Sequence, residues 1–204
     1  MSDRASWITN RKINSTQIQV TVPEYTGREG RSDNEGVKAQ TAGGTQASAL
    51  VSQAGVPEFI QGITNSPLAL PNTASPETPV VNIQFRSNST KISASVTSGD
   101  SWLSIVGFVV NGEAATLGSA IPNDPGALDA YIGGLKLSYS ANSTSATRTA
   151  TIRISTNGGS YVDYTINQYG ADSTITLTPN PLEFTAAGGT QTITVTSNDN
   201  WTLV

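Results

Sequence analysis

The strongest constraint on the fold is an internal similarity between the middle of the chain and its carboxyl-terminal part. Aligning Phe85 with Phe184 places Trp102 on Trp201, because each tryptophan follows its phenylalanine at the same distance. An alternating strand pattern and a short turn of Gly, Asn, Asp and Ser precede each tryptophan, as a hairpin or short loop requires. Residues 172–204 therefore repeat only the first half of a β-domain.

The amino-terminal part of the chain repeats the other half of the same kind of domain. Aligning Ile18 with Leu135 places Arg31 on Arg148, again at equal spacing. Both copies then continue through strand patterns with a glycine-containing turn and close on a Gln-x-Gly sequence. Residues 1–56 therefore correspond to the second half of the domain.

Between the two halves lies one complete copy, at residues 81–171. A half sandwich can neither bury its inner face nor pair its strand edges. We therefore expect residues 172–204 to pair with residues 1–56, either within one chain (in cis) or between chains (in trans). Truncation of a longer chain, whose missing parts would complete each half, is the alternative. We favour a device for joining ends, because both ends match one break point.

Two irregular segments separate these patterns. Residues 57–80 hold five of the ten prolines, a density that central strands do not accept, and we predict a semi-rigid linker there. Residues 109–134 contain five glycines together with Pro122 and Pro125. We predict that this stretch is an insertion in the complete copy.

The composition indicates an all-β protein with small cores. Hydrophobic residues make up 36% of the chain and charged residues 13%, and the net charge is only −4, whereas disordered chains combine low hydrophobicity with high net charge. The polar residues are mostly uncharged and alternate with Val, Ile and Leu, as in strands with one solvated face. The 11 basic residues are not clustered, which argues against a nucleic-acid partner.

The absence of cysteine and histidine limits the chemistry available to the chain. It excludes disulfides and removes the commonest general base and transition-metal ligand. Acidic turns at residues 33–36 and at Asp124 and Asp129 lack the spacing of a calcium loop, so turn formation is favoured for them. Glu113 could join Asp124 or Asp129 in a carboxylate pair for glycoside hydrolysis, but no motif supports it. We predict no enzyme activity and no cofactor.

No segment of the sequence has the pattern of a membrane anchor or a signal peptide. The first residues lack an apolar stretch, and the longest apolar run, residues 105–110, is interrupted by Gly107 and too short to span a bilayer. We expect no membrane partner and no export through a signal peptide.

The order of these motifs resembles the BACON domain, a family of gut Bacteroidetes proteins and their phages. The matching pieces are the strand-turn-Trp run at 195–203, the Trp-Ile-Thr run at 7–9, the Arg-led strand at 148–152 and the two Gln-x-Gly closes. The resemblance implies immunoglobulin-like β-sandwich domains, one complete and one composed from the two chain ends.

A typical member of the family carries two tryptophan positions in succession. Trp201 matches the first position and Trp7 the second, so the two ends of the chain abut in the family pattern. The complete copy departs from it, with Trp102 at the first position and the insertion where the second should be. Each tryptophan could be a sugar-stacking platform, but alternation beside Ile and Leu favours a place in the core.

Three tyrosines are the candidate binding residues. Tyr131 lies in the glycine-rich insertion, and Tyr161 and Tyr169 lie near the closing hairpin. Aromatic side chains are enriched in interfaces, and exposed loops often carry function. These residues could line a carbohydrate groove or an interface, or they could pack over the edge of the sandwich.

The resemblance and the complementary halves favour a non-enzymatic structural and interaction protein. The family was named for a proposed carbohydrate-binding role and also occurs in virion proteins of crAss-like phages. We expect a capsid decoration or fibre protein on the virion surface, assembled in the host cytoplasm, with weak glycan adhesion as a further property. Its partners would be other virion proteins or copies of itself. The alternative is a fragment of a Bacteroidetes cell-surface protein that binds or spaces carbohydrates, and a glycan-active enzyme is disfavoured.

Overall fold

The computed structural model describes residues 5–204, and their regular secondary structure consists of β-strands. This confirms the predicted all-β class. The strands are β1 (Thr9–Lys12), β2 (Ile18–Thr21), β3 (Arg31–Gln40), β4 (Gln46–Gln53), β5 (Ile60–Gly62), β6 (Leu68–Leu70), β7 (Val81–Ser87), β8 (Ile92–Ser98), β9 (Leu103–Val110), β10 (Glu113–Ala115), β11 (Tyr131–Tyr139), β12 (Arg148–Thr156), β13 (Tyr161–Gln168), β14 (Ile175–Thr178) and β15 (Thr194–Ser197).

The middle of the chain forms a β-sandwich of two sheets. A five-stranded sheet has the order β10-β9-β11-β7-β5, and a four-stranded sheet has the order β6-β13-β12-β8. Alternate residues of each strand face the space between the sheets, as Ala150, Ile152 and Ile154 of β12 do, and all three are fully buried. In the opposite sheet, the rings of Phe85 and Phe108 stack with centroids 6.3 Å apart.

Residues 57–80 are part of this sandwich, in contrast to the linker that the sequence predicts. Strand β5 pairs antiparallel with β7, and β6 pairs in parallel with β13, so each forms a sheet edge. Pro57, Pro67 and Pro71 lie outside these two short strands, where no ladder hydrogen bond is lost. The proline density therefore excludes central strands but allows edge strands.

Residues 109–134 leave the sandwich and return to it. The segment begins in β9, folds back through β10, and re-enters the sheet at β11. Ile121 and Ala127 of its irregular part are buried, so the loop is held against the sandwich.

The two ends of the chain form separate small sheets. Residues 5–56, the described residues of the amino-terminal half, contain the hairpins β1–β2 and β3–β4. Residues 172–204, the carboxyl-terminal half, contain the hairpin β14–β15. Among the described residues, no strand of one half pairs with a strand of the other. The structure therefore shows neither the cis pairing nor a composite sandwich within one chain.

Within residues 5–204, no helix is long and apolar enough to cross a membrane.

Candidate interaction surfaces

In the complete sandwich, Arg148 links the start of β12 to the end of β13. The Arg148 guanidinium lies 4.5 Å above the Trp102 ring, and its Nε donates a hydrogen bond to Gln168 Oε1 at 2.8 Å. Its Nη2 donates to Ser140 O at 2.8 Å. Cation–π stacking and hydrogen bonding thus fix the start of β12 against the end of β13.

The amino-terminal half contains a similar arrangement around Arg31. The Arg31 guanidinium lies 4.3 Å from the Trp7 ring and 4.2 Å from the Tyr25 ring. Its Nε and Nη2 donate to Gln53 Oε1 at 3.0 and 2.8 Å. Strands β3 and β4 therefore correspond to β12 and β13, and β1 and β2 correspond to β9 and β11. The sequence signal for this equivalence is the equal spacing from Ile18 to Arg31 and from Leu135 to Arg148, together with a closing glutamine after each arginine.

The tryptophans differ from the prediction in two ways. An arginine guanidinium lies over both Trp7 and Trp102, although the sequence pattern assigns these tryptophans to successive positions. Neither ring lies fully in a core, because the guanidinium covers one face and the residue that follows each ring, Ile8 or Leu103, is the buried one. Trp201 is 52% exposed.

Comparison with the sandwich shows that two strand edges of the amino-terminal half have no neighbouring strand among residues 5–204. Strand β12 pairs with β13 on one side and β8 on the other, whereas among residues 5–204 the one strand that pairs with β3 is β4. Likewise β11 pairs with β9 and β7, whereas β1 is the one strand of the described part of the chain that pairs with β2. Free strand edges are templates for pairing with another strand.

An open cleft of about 570 Å³ lies between the β1–β2 hairpin and β3. Its lining includes Ile18, which is 42% exposed, whereas the equivalent Leu135 of the sandwich is fully buried. Asn10 also lines the cleft, and its Oδ1 has no hydrogen-bond partner among the described residues. The inner face of this half is thus open at Ile18, whereas Ile8 is buried.

The carboxyl-terminal half also exposes apolar side chains. Phe184 is 50% exposed, whereas Phe85, its counterpart in the sandwich, is fully buried. The segment around Phe184 forms no strand, although Phe85 lies in β7. The other exposed large hydrophobic residues of this half are Ile175, Leu177, Trp201, Leu203 and Val204.

The predicted binding residue Tyr131 is buried in the sandwich core. Its side chain is 1% exposed, and its hydroxyl donates a hydrogen bond to Ser89 O at 3.0 Å. Burial raises the pKa of Tyr131 to about 12. The residue opens β11, where strand alternation turns its ring inward, so Tyr131 offers no ring face to a ligand, contrary to the prediction.

Tyr161 and Tyr169 are exposed but do not form one site. Tyr161 opens β13, and Tyr169 follows its last residue, so the rings lie at opposite ends of the sandwich. The Arg153 guanidinium stacks 4.1 Å from the Tyr161 ring and pairs with Asp163 at 2.7 Å. Their role as separate contact residues stays a prediction.

Asp33 and Asp124, two of the candidate calcium ligands, have structural partners. Asp33 accepts hydrogen bonds from Ala5 N and Glu35 N, each at 2.8 Å. Asp124 forms an ion pair with Arg28 at 2.6 Å. The described residues contain no cluster of three or more acidic side chains that could hold a metal ion.

Arg28 attaches the amino-terminal half to the upper end of the sandwich, defined as the end with the β7–β8 turn (residues 88–91). Its two terminal nitrogens donate to the Asp124 carboxylate, and its Nε and Nη2 donate to Asn88 O at 3.2 and 2.7 Å. Hydrogen bonds from Arg28 lower the pKa of Asp124. The sequence gives no signal for this pair, because the two residues lie in unrelated motifs.

Asn198 attaches the carboxyl-terminal half to the lower end, defined as the end with the β11–β12 loop (residues 140–147). Its backbone oxygen accepts a bond from Ser145 N at 3.4 Å, and its Nδ2 donates to Ser143 O at 3.2 Å. Strands β7 and β11 are antiparallel, so the turn after β7 and the loop after β11 lie at opposite ends. The two halves are therefore separated by the length of the sandwich.

Glu58 lies in the segment that leads into β5, and it links this segment to the β7–β8 turn and the β12–β13 turn at the upper end. Its carboxylate accepts hydrogen bonds from Ser89 Oγ, from Thr90 N and Oγ1, and from Gly158 N, at 2.6 to 3.1 Å. Burial alone would raise the pKa of Glu58, but these hydrogen bonds together outweigh it and lower the pKa below the ordinary value of 4.5.

This arrangement predicts a pH-dependent contribution to stability. A lowered pKa in the folded state means that the stabilisation is complete above about pH 4.5 and is lost as the pH falls through the folded pKa. Glu58→Gln should lower the free energy of unfolding by about 1–2 kcal/mol at pH 6, because it removes charge-assisted hydrogen bonds. The loss should be no larger, since these bonds are partly exposed to solvent. The difference between wild type and variant, measured by urea unfolding, should shrink at pH 3.5. An unchanged difference would contradict this role.

Comparison with known proteins adds little to this description. No family model and no curated protein matches the chain. One similar solved structure is described as an NMR structure of the protein from Bacteroides thetaiotaomicron, with 15% sequence identity. The match covers 56% of this chain and 88% of that one, with a TM-score of 0.25. A likeness at this TM-score carries no argument about fold or function.

Proposed function

We propose that the protein is a non-enzymatic structural and interaction protein that works by joining strand edges to a partner. The observation that supports the proposal most is that, among the described residues, β2 and the Val37–Gln40 part of β3 each have an edge without a neighbouring strand, next to the open cleft. Strand edges and apolar inner faces are the groups that β-strand addition uses for affinity and specificity. A central sandwich with a buried core would serve as the rigid body that carries them.

The resemblance to BACON domains gives this proposal its biological setting. We place the protein on the virion surface of a crAss-like phage, as a capsid decoration or fibre component whose many copies would amplify weak glycan adhesion. The exposed rings of Tyr161 and Tyr169 would be contact residues in such adhesion. The alternative setting is a Bacteroidetes cell-surface protein that binds or spaces carbohydrates.

Purified virions test whether the protein belongs to the virion surface or to the bacterial cell surface. We expect mass spectrometry of gradient-purified virions from the natural source to detect this chain in amounts comparable to those of other structural proteins. Detection in the bacterial envelope fraction and not in particles would replace the virion setting with the cell-surface one. The chain displayed on multivalent beads should also retain glycans weakly on an array. A blank array would remove adhesion from the proposal without affecting the structural role.

A further inference from the structure

We propose that the partner of the amino-terminal half is the carboxyl-terminal half of a second copy of this chain. Strand β15 of one copy would pair with the Val37–Gln40 part of β3 in the next, and the segment around Leu182 would pair with β2. This inference rests on the proposed function and names its partner, its geometry and its register.

The complete sandwich supplies the template for the first pairing. Strand β8 is the neighbour of β12, and Val96 lies opposite Ile152. The internal alignment that places Phe85 on Phe184 also places Val96 on Val195, which lies in β15. One edge of β15 pairs with β14, and among the described residues its other edge has no strand beside it.

The register of the hairpins identifies the residue of β3 that should lie opposite Val195. In the sandwich, Ile152 lies opposite Tyr164, at a fixed number of residues before the closing glutamine of β13. In the amino-terminal half, Val37 lies opposite Ala49, at the same number of residues before the closing Gln53. An irregularity between Asp33 and Val37 absorbs the extra residues of β3. Val37 is therefore the counterpart of Ile152 and should lie opposite Val195.

The same comparison gives the second pairing. In the sandwich, Leu135 of β11 lies opposite Ile83 of β7. Ile18 is the counterpart of Leu135, and Leu182 is the counterpart of Ile83 in the alignment. Leu182 lies in a segment without a strand partner, and Ile18 lines the open cleft. Pairing would bury both side chains in one core, as the sandwich does.

The attachment points require that the two halves come from different copies. Strand β13 has eight residues, so it is about 26 Å long, and the halves are attached beyond its two ends. The connection from β13 to β14 is fixed at the lower end, where Ala171 N donates a hydrogen bond to Thr144 O at 2.7 Å. The residues between Ala171 and β14 are too few to carry the carboxyl-terminal half to the upper end.

A contact of this kind joins unlike surfaces of successive copies. Each copy would receive a carboxyl-terminal half at its upper end and supply its own half from its lower end. Such a heterologous contact leaves one half of each kind unpaired at the two ends of any row, and it therefore propagates into linear assemblies unless a ring closes. The central sandwich would act as the spacer between successive joints.

Introduced cysteines test the register directly, because the chain has no cysteine of its own. In the sandwich, Arg153 lies opposite Ser95, which places Lys38 opposite Thr194 at the proposed joint. Both side chains are exposed, and the Lys38–Glu35 ion pair that would be lost is a surface pair worth little. Mild oxidation of an equal mixture of K38C and T194C chains should give a disulfide-linked dimer.

The matched control is K38C mixed with T176C, because Thr176 lies on β14, one strand further from the joint. We expect at least about tenfold more cross-linked dimer with T194C than with T176C. The double variant K38C/T194C should give a ladder of multimers on a non-reducing gel. A faster-migrating monomer would show pairing in cis and overturn the proposal, and so would cross-linking no greater than the control.

A measurement without cysteine completes the test. Sedimentation velocity of the unmodified chain should show assemblies that grow with concentration, and V195D should reduce them to monomers while the central sandwich unfolds at an unchanged urea concentration. Monomers of unmodified chain at all concentrations would overturn the proposal. If purified particles still contained the chain, the proposed structural role would stand with a different partner. Absence from particles together with a cross-linked ladder would remove only the virion setting.

Discussion

Replacing Gly133 with valine should strongly destabilise the central sandwich. Gly133 of β11 lies opposite Phe85 of β7, and a Cβ atom at this glycine would lie 2.3 Å from Phe85 Cζ and 2.5 Å from Cε2. The ring fills the space that the missing side chain leaves, in a fully buried part of the core. Overpacking of this kind costs about 1–3 kcal/mol and sometimes more, against a total stability of about 5–15 kcal/mol.

A double-mutant cycle makes the prediction specific. Phe85→Ala alone should cost about 3–5 kcal/mol, because it empties a core position. The combination of Gly133→Val with Phe85→Ala should cost less than the two single effects together, since the valine would occupy part of the vacated space. Urea unfolding followed by tryptophan fluorescence gives the free energies. Additive losses would contradict the close packing of these two residues.

Gly43→Val is the control for replacing a glycine with valine at a position without close contacts. Gly43 lies in the turn between β3 and β4, and a Cβ atom there would meet no other atom within 4 Å. The urea midpoint of the sandwich should therefore be unaffected by this substitution. A loss as large as that of Gly133→Val would show that valine acts through backbone conformation and not through contact with Phe85.

The alternation of apolar and polar residues was enough to predict the longer strands. Ile152 and Ile154 are separated by Arg153, and the structure buries both isoleucines and exposes the arginine. Strands β5 and β6 have only three residues each, which is too short for a period-two pattern, so residues 57–80 read as a linker. Their place at the sheet edges depends on pairing with β7 and β13, which no local pattern encodes.

The interaction surfaces were predictable only where they repeat. The Arg31–Gln53 and Arg148–Gln168 pairs indicated equivalent hairpins, and in both the arginine Nε donates a hydrogen bond to the glutamine Oε1. Tyr131 was placed among exposed candidates because it lies in a glycine-rich stretch, although it opens a strand and points inward. An inward or outward direction depends on where the strand starts, and the boundaries of elements are the least certain part of such reasoning.

The contacts between segments lie beyond sequence reasoning, and Asn88 is the clearest case. Its side chain is buried, and its Nδ2 donates hydrogen bonds to Ala127 O at 2.7 Å and to Pro57 O at 3.2 Å. Its Oδ1 accepts a bond from Phe59 N at 2.8 Å, and its backbone oxygen accepts bonds from Arg28. One residue thus joins the β5 segment, the insertion and the amino-terminal half.

Replacing Asn88 with alanine should therefore loosen three segments together. The substitution leaves buried backbone groups without partners, and each such group costs about 1–3 kcal/mol. Hydrogen exchange at the Phe59 amide should become faster, and the free energy of unfolding of the sandwich should fall. Asn157→Ala, at an exposed asparagine in the β12–β13 turn, is the control and should leave both unchanged.

The substitution of Asn88 should also affect the proposed linear assemblies. The Asn88 carbonyl and Asp124 hold Arg28, and Arg28 attaches the amino-terminal half to the upper end. If the β5 segment and the insertion shift when the Asn88 side chain is removed, this attachment should weaken as well. Linear assemblies of the variant should then be more flexible in small-angle scattering, although the β3–β15 joint stays intact. Full protection of the Phe59 amide in Asn88→Ala would show that other contacts hold the junction and that Asn88 does not organise it.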